Sequence, residues 1–277
     1  MHTSSAPVWT AQNLKEALEL RAEHPDATVI AGGTDLMVFI ESGSIKLDKV
    51  LNIWGCSDFS GITQSDTGFR IGALATWTDI RSNCALPESL RECAATVGAA
   101  QIQNRGTVGG NIVNGSPAGD SLPLWLVMDA EFEVASLRGT RHIPANEFWT
   151  GYRTNALAKD ELLIAVHINP DAEDHICYRK VGTRMAQSIS KVVFGGRLQI
   201  RDGQIKQARI ALGSVAATPV RLPTVEAALE HGLGIGSADR VSNDITPLDD
   251  VRSTANYRNA VAKRVIRSWL ESCLERT

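Results

Sequence analysis

Cysteine and histidine are scarce in this sequence, and so is any excess of positive charge. The 277 residues include five cysteines, an odd number at irregular spacings, which argues against a disulfide framework. The six histidines form no His-x-x-x-His pair, and no Cys-x-x-Cys motif is present, so nothing in the sequence predicts a metal site. The net charge is −3, from 28 lysines and arginines against 31 aspartates and glutamates, so the basic surface that a nucleic acid requires is not expected.

Long hydrophobic runs are also missing. The longest uninterrupted one, residues 122–128, contains a proline and is far shorter than the roughly 20 residues of a membrane span. The start, Met-His-Thr-Ser-Ser-Ala-Pro, has no cationic segment followed by an apolar one, so no secretory signal is predicted. Together with the cysteine usage, these features lead us to expect a soluble, cytoplasmic protein without a membrane span.

The sequence has the composition of an ordinary globular protein. It contains 43% hydrophobic and 21% charged residues. At roughly 150 residues per domain, the length predicts between one and two domains. The polar segment 169–174 marks the predicted boundary, which gives a first domain at 1–170 and a second at 171–277.

Helical and extended patterns alternate irregularly along the chain. Residues 28–31 predict a short buried strand, and Asp202-Gly203 predicts a two-residue hairpin. A helix is predicted at 257–274, with one apolar face made of residues four apart: Tyr257, Val261, Val265 and Trp269. Helices, strands and hairpins in this order predict an α+β fold rather than a regular parallel wind.

The first motif that indicates a ligand is Val29-Ile-Ala-Gly-Gly-Thr-Asp-Leu36, which runs from the predicted strand into a predicted helix. The adjacent glycines let backbone N–H groups approach an anion without hindrance from a Cβ atom, and Thr34 adds a hydroxyl donor. A tight strand-to-helix turn without a ligand explains the same residues equally well.

A second glycine-rich loop is predicted at Gly106-Thr-Val-Gly-Gly-Asn111, continuing to Asp120. Residues 106–120 include five glycines, and a loop of this kind in a compact domain is usually functional, although a mobile surface loop would also fit. Two such loops suit the diphosphate of a dinucleotide cofactor. Neither matches a P-loop or a Rossmann fingerprint, so a dinucleotide fold of another kind is expected.

With both motifs in view, the chain resembles the FAD-binding (medium) subunit of the xanthine dehydrogenase and carbon monoxide dehydrogenase family of molybdenum hydroxylases. The resemblance covers nearly the whole length and rests on several pieces in the family's order. These pieces are Ala31-Gly-Gly-Thr-Asp-Leu36; Thr107-Val-Gly-Gly-Asn-Ile112 with Ser116-Pro-Ala-Gly-Asp120; Gly151-Tyr-Arg153 with Asp160-Glu-Leu-Leu163; Tyr178-Arg-Lys-Val-Gly-Thr-Arg184 leading into Ile189-Ser-Lys191; and Ala208-Arg-Ile-Ala-Leu-Gly213 with Thr218-Pro-Val-Arg221.

The resemblance implies a two-subdomain FAD-binding module followed by a smaller C-terminal α/β domain. It implies that residues 29–36 wrap the FAD diphosphate, that 107–111 close its other side, and that Asp120 hydrogen-bonds FAD. Leu163 and Lys180 would line the isoalloxazine, where the Lys180 cation would stabilise the reduced flavin. The implied cofactor-binding residues are Val29, Ile30, Ala31, Gly32, Gly33, Thr34, Asp35, Leu36, Thr107, Val108, Gly109, Gly110, Asn111, Asp120, Leu163 and Lys180.

The function that the resemblance implies is electron transfer. A separate large subunit would contain the molybdenum cofactor and a small subunit two [2Fe-2S] clusters, and FAD on this chain would pass the electrons to NAD or another acceptor. The run 183–189 points first to xanthine or another purine as the substrate of the complex. The alternatives are a self-contained FAD-dependent reductase of the same fold type and a nucleotide-binding interaction protein without enzymatic activity.

Overall fold

The N-terminal residues build a small parallel sheet with two helices. The structure, a computed structural model, describes residues 6–171, 174–184 and 187–274. The N-terminal elements are β1 (Val8–Thr10), α1 (Leu14–Glu23), β2 (Thr28–Ile30), α2 (Leu36–Glu41) and β3 (Val50–Asn52). β3 lies between β1 and β2 and pairs with both in parallel. Because β2 ends at Ile30, the first glycine motif leaves from the carboxyl edge of this sheet, where ligands of parallel sheets commonly bind.

A five-stranded antiparallel sheet forms the centre of the molecule, in the order β4-β5-β10-β6-β7. Its strands are β4 (Ile62–Ser65), β5 (Gly68–Gly72), β6 (Glu131–Ser136), β7 (Gly139–Pro144) and β10 (Leu162–Ile168). β10 is buried on both faces: Leu162 and Ile164 pack against the N-terminal unit, while Leu163 and Val166 pack against the following helices. The apolar strand β10 therefore joins the N-terminal unit to the helices that follow it.

Short helices and one hairpin cover the second face of this sheet. They are α3 (Trp77–Ser82), α4 (Glu88–Thr96), α5 (Ala100–Gln103), α6 (Val108–Asn114), α7 (Leu122–Val127), α8 (Ala145–Phe148), β8 (Trp149–Gly151) and β9 (Thr154–Asn155). α3 begins with a capping box in which the Thr76 and Asp79 side chains each accept from the other's backbone N–H. Trp77 and Trp125 are almost fully buried in the cluster that these helices form.

The C-terminal part is a four-stranded antiparallel sheet, β11-β12-β13-β14, with helices packed on it. Its elements are β11 (Asp174–Val181), β12 (Val192–Arg201), β13 (Gln204–Gly213), β14 (Val220–Arg221), α9 (Pro223–Glu230), a 3-10 helix (Gly234–Asn243) and α10 (Ala255–Leu274). The hairpin predicted at Asp202-Gly203 is confirmed, since both residues have positive φ between β12 and β13. Among the described residues, no helix combines the length and the apolar character needed to cross a membrane.

The predicted apolar face of the last helix is right except at Tyr257, since Trp269 is buried and Val261 and Val265 pack partly buried against the C-terminal core. In α10 the buried residues are Arg258, Ala262, Ile266, Trp269 and Leu270, whereas Tyr257 is 42% exposed. A strict spacing of four drifts around a helix of 3.6 residues per turn, and a mixture of three and four stays on one face. The buried Arg258 could not be predicted from hydropathy, because it is accommodated by the carbonyls of Lys191 and Ser214 and by the Asp250 carboxylate.

Asp129 joins the central and C-terminal parts through three arginines. Arg197, Arg209 and Arg221, one from each of β12, β13 and β14, approach its carboxylate with N–O distances of 3.2, 3.4 and 3.3 Å. Asp129 follows α7 and has φ 46°, a left-handed conformation that aspartate and asparagine adopt more readily than most residues. Through Asp129, the three arginines tie the end of α7 to the C-terminal sheet.

Replacing Asp129 by asparagine should weaken this connection without disturbing the backbone. Asp129→Asn keeps a residue that tolerates positive φ but leaves three half-buried arginines with less negative charge, so we expect a loss of about 1 kcal/mol of unfolding free energy. The measurement is chemical denaturation, with Asp66→Asn in the exposed turn between β4 and β5 as the control. Equal stability of both variants would contradict the assignment.

Candidate cofactor-binding site

A cavity of about 480 Å³ lies beside both glycine motifs, within the range of sites that hold small molecules and cofactors. Its walls come from the edge of the parallel sheet, α2, α6 and β10. The predicted residues that line it are Val29, Ile30, Ala31, Gly32, Gly33, Thr34, Asp35, Leu36, Thr107, Gly109, Gly110, Asn111 and Leu163. Val108, Asp120 and Lys180 do not line the cavity. The fold thus brings both motifs and one residue of β10 together.

The first glycine motif presents unpaired backbone donors along the cavity wall. Within the described part of the chain, the N–H groups of Gly32, Gly33, Thr34 and Asp35 have no hydrogen-bond acceptor. Buried backbone N–H groups are nearly always paired with protein or water, and residues 32–34 are partly buried, so this run of donors marks a place where water or a ligand acceptor is expected. Successive N–H groups of this kind form concave anion sites.

Gly32 fixes the distance between the two motifs. A Cβ atom at this position would lie 1.7 Å from the carbonyl oxygen of Arg105, directly before the second motif. Only glycine permits this backbone approach, so Gly32 is required for the packing of the cavity wall itself. Gly33, with φ 75°, supplies the left-handed turn into α2.

The second glycine motif is not a loop, and that part of the prediction is wrong. Residues 108–114 form α6, and their first N–H groups are all paired: Val108 with the carbonyl of Ala75, Gly109 with that of Ala73, and Gly110 with the Thr107 hydroxyl at 3.0 Å. The second motif therefore leaves room in the cavity, because its glycines have no side chains, but it offers no free backbone donor at residues 108–110. Gly109 packs against Ala73, whereas a Cβ atom at Gly110 would meet only the Thr107 hydroxyl within 4 Å.

Asn111 is oriented by two residues that the sequence did not single out as partners. The buried Ser121 hydroxyl donates to Asn111 Oδ1 at 2.7 Å and accepts from the Trp125 indole N–H at 3.0 Å. Because Oδ1 is occupied, the unpaired polar atom of Asn111 at the cavity is its amide nitrogen, which is a donor. Its side chain can therefore donate to an anionic or carbonyl-bearing ligand.

Charged residues at the cavity were missed by the sequence prediction. Arg21, Arg153 and Glu161 line it. The sequence motifs contain Arg153 and Glu161, but neither was predicted to bind the cofactor, and Arg21 lies outside the motifs. Both carboxylate oxygens of Glu161 accept from Arg141 at 2.8 Å, and hydrogen bonding to Arg141 lowers the pKa of Glu161. Glu161 is thus a fixed anion at the cavity wall.

Asp120 and Lys180 form a buried ion pair with each other. Lys180 Nζ lies 2.6 Å from Asp120 Oδ2 and also donates to the Thr96 carbonyl at 3.0 Å, while Ser190 donates to Asp120 Oδ1. Burial raises the pKa of Asp120, and the charge of Lys180 opposes that shift. The pair links β11 to the segment before α7, and its predicted contact with FAD stays a prediction.

Comparison with known proteins identifies the family. Residues 3–170 match the FAD binding domain in molybdopterin dehydrogenase, and residues 177–273 match the CO dehydrogenase flavoprotein C-terminal domain. The chain belongs to the FAD-binding subunits of the molybdenum hydroxylases. This confirms the resemblance stated from the sequence motifs and the α+β fold with a two-part FAD-binding module and a smaller C-terminal domain.

Individual members of the family resemble the chain over most of its length. It is 30% identical to the xanthine dehydrogenase FAD-binding subunit of Escherichia coli O157:H7, over 92% of this chain and 93% of that protein. It is 32% identical to the nicotinate dehydrogenase FAD-subunit of Eubacterium barkeri, over 79% and 77%. Among solved structures, the reconstituted CO dehydrogenase from Oligotropha carboxidovorans matches with a TM-score of 0.92 at 25% identity, covering 100% of both chains.

Metal and cysteine chemistry have no support in the described residues. No group of three or more histidine, cysteine, aspartate or glutamate side chains is placed to hold a metal ion there. Cys93 is fully buried, and burial raises the pKa of its thiol well above the ordinary value.

The ion pair of Lys180 predicts a large effect on stability. Lys180→Met leaves Asp120 buried without its partner, so we expect a loss of about 3 kcal/mol of unfolding free energy, and Lys180→Met combined with Asp120→Asn should recover part of it. Chemical denaturation measures this, with the exposed Lys159→Met as the control. A single variant as stable as the control would show that the pair does not hold these segments together.

Proposed function

We propose that the cavity is the FAD site of this subunit, with the diphosphate against the unpaired N–H groups of residues 32–35. Those four donors are the observation on which the proposal depends, because they lack acceptors within the described chain and line the cavity. The Asn111 amide nitrogen adds a side-chain donor from the facing helix. The residues present therefore suit a ligand with an extended anionic centre.

The remaining walls suit the rings of the same cofactor. Leu163, Ile53 and Val97 are apolar lining residues, and Phe39 adds an aromatic ring, while Trp77 also lines the cavity but is almost fully buried. Such surfaces bind flat rings and exclude water, while a few polar groups fix the orientation. When bound, FAD supplies a group that accepts electrons singly or in pairs and releases a hydride. The chain supplies binding, orientation and electrostatics.

The electron route belongs to the same proposal. Electrons would arrive from [2Fe-2S] clusters on a small partner subunit, which receives them from a molybdenum cofactor on a large subunit, and would leave to NAD or another acceptor. The xanthine dehydrogenase FAD-binding subunit of E. coli O157:H7, matched over 92% of this chain, supports xanthine or another purine as the first substrate to test. The match of residues 177–273 to the flavoprotein C-terminal domain favours this function over a self-contained reductase.

Gly110→Val is the substitution that tests the site with least damage to the fold. Gly110 lines the cavity from α6, and an added Cβ would meet only the Thr107 hydroxyl that caps this helix, at 2.8 Å, so Thr107 must shift while the rest of the side chain occupies the cavity. We expect FAD affinity to fall at least tenfold, about 1.4 kcal/mol, with a small change in melting temperature. Fluorescence titration of the apoprotein with FAD measures the affinity.

The matched control is Gly236→Val in the 3-10 helix of the C-terminal part. A Cβ atom at Gly236 would meet only the Leu233 side chain, at 3.6 Å, so this variant should bind FAD like the wild type. Stoichiometric, unweakened FAD on Gly110→Val would place the cofactor elsewhere. Gly32→Val is a poor test, because its Cβ would strike the Arg105 carbonyl and displace the backbone whether or not FAD binds there.

A further inference from the structure

The helix α2, which forms one wall of the cavity, has no buried side chain. All residues of α2 except Glu41 are apolar, yet none of them is buried. Leu36 and Phe39 line the cavity, while Met37 and Val38 are 51% and 63% exposed. A short apolar helix without buried side chains gains little from the hydrophobic effect, so other contacts must hold it in place.

Two left-handed glycines bound this stretch of chain. Gly33 has φ 75° before α2, and Gly43 has φ 70° after it, with no atom within 4 Å of an ideal Cβ on Gly43. We call residues 34–42 the wall segment. Its backbone hydrogen bonds at α2 are local, such as those from Met37 to Gly33 and from Ser42 to Val38. The wall segment is therefore attached mainly through side chains.

Arg153 makes side-chain contacts with the wall segment from the opposite side of the cavity. Its guanidinium carbon lies 4.9 Å from the centre of the Phe39 ring, and Nη1 lies 3.6 Å from Asp35 Oδ2. These are a cation–π contact and an ion pair on the same short helix and its N-cap residue. One arginine thus contacts two residues of the wall segment.

The nitrogen that faces Asp35 is also bound to α6. Nη1 donates to Asn114 Oδ1 at 2.7 Å, at the last residue of α6. Arg153 itself has φ 52°, in the turn between β8 and β9. Through its side chain, Arg153 therefore connects α6, which packs on β10, to the lightly packed α2.

We propose that Arg153 is a positioning residue that fastens the wall segment over bound FAD and so slows release of the cofactor. The inference rests on the proposed FAD site, and it gives a role to the Gly151-Tyr-Arg153 motif, to which the sequence prediction assigned none. Arginine suits this role because its planar fork donates to Asn114 while its face contacts Phe39. Lysine cannot do both from one rigid group.

The test measures FAD release from the full chain. FAD-loaded wild type, Arg153→Met, Arg153→Lys and Asn114→Ala are each diluted rapidly to a concentration at which FAD dissociates, and the change in flavin fluorescence follows the release. We expect at least tenfold faster release from Arg153→Met and a smaller increase from Arg153→Lys. Acrylamide should also quench the bound flavin more strongly in Arg153→Met.

A double-mutant cycle tests whether Arg153 acts together with its anchor Asn114. If Arg153 acts through its anchor on Asn114, Asn114→Ala should also speed release, and the double variant should be no faster than Arg153→Met alone. The exposed Arg264→Met on α10 is the control for loss of charge. Arg153→Met with wild-type release and quenching, or fully additive effects in the cycle, would overturn the inference.

Failure of the role proposed for Arg153 can be distinguished from failure of the proposed FAD site. A wild-type chain that does not bind FAD would refute the proposed site, whereas a wild type that binds FAD beside an unaffected Arg153→Met would refute only the role of Arg153. If Arg153→Met fails to fold, as judged by circular dichroism, Arg153→Lys and Asn114→Ala carry the same test. Both should release FAD faster than the wild type if the inference is right.

Discussion

The feature on which the rest of the structure depends is a row of backbone donors that the protein leaves without acceptors. Unpaired N–H groups are costly in a half-buried position, so those of residues 32–34 are stable there only beside water or an anionic ligand. β2 places the row at the carboxyl edge of a parallel sheet, and the contact between Gly32 and the Arg105 carbonyl sets it against α6. The position of this row of donors is thus a consequence of how the two motifs pack.

The elements around this row of donors differ in how tightly they are packed. α6, β10 and the segment before α7 are fixed by buried contacts, including the Ser121–Asn111 hydrogen bond and the Asp120–Lys180 ion pair. α2 has no buried side chain and is attached through Arg153. Of the cavity walls, α6 and β10 are thus firmly packed and α2 is lightly packed, so α2 is the wall that we expect to yield most readily when a large cofactor enters or leaves.

Much of this architecture could be predicted from the sequence, but the side-chain partnerships could not. The strand before Gly32 and the hairpin at Asp202 follow from local patterns, and both are present. α6 was missed because Val-Gly-Gly-Asn has low helix propensity, and its first turn forms only because Thr107 and two carbonyls before α3 pair its N–H groups. Asp120 and Lys180 are sixty residues apart, so their pairing depends on how the C-terminal sheet docks.

The most direct test of this account is hydrogen exchange at the individual amides of residues 32–35, measured by NMR with and without FAD. If the diphosphate accepts from these donors, their exchange should slow at least tenfold in the FAD-loaded chain, and riboflavin, which has no phosphate, should not reproduce the protection. Amides that exchange in the FAD-loaded chain at the rate of the free chain would contradict the account, because the cofactor would then be bound without the donors on which the site depends.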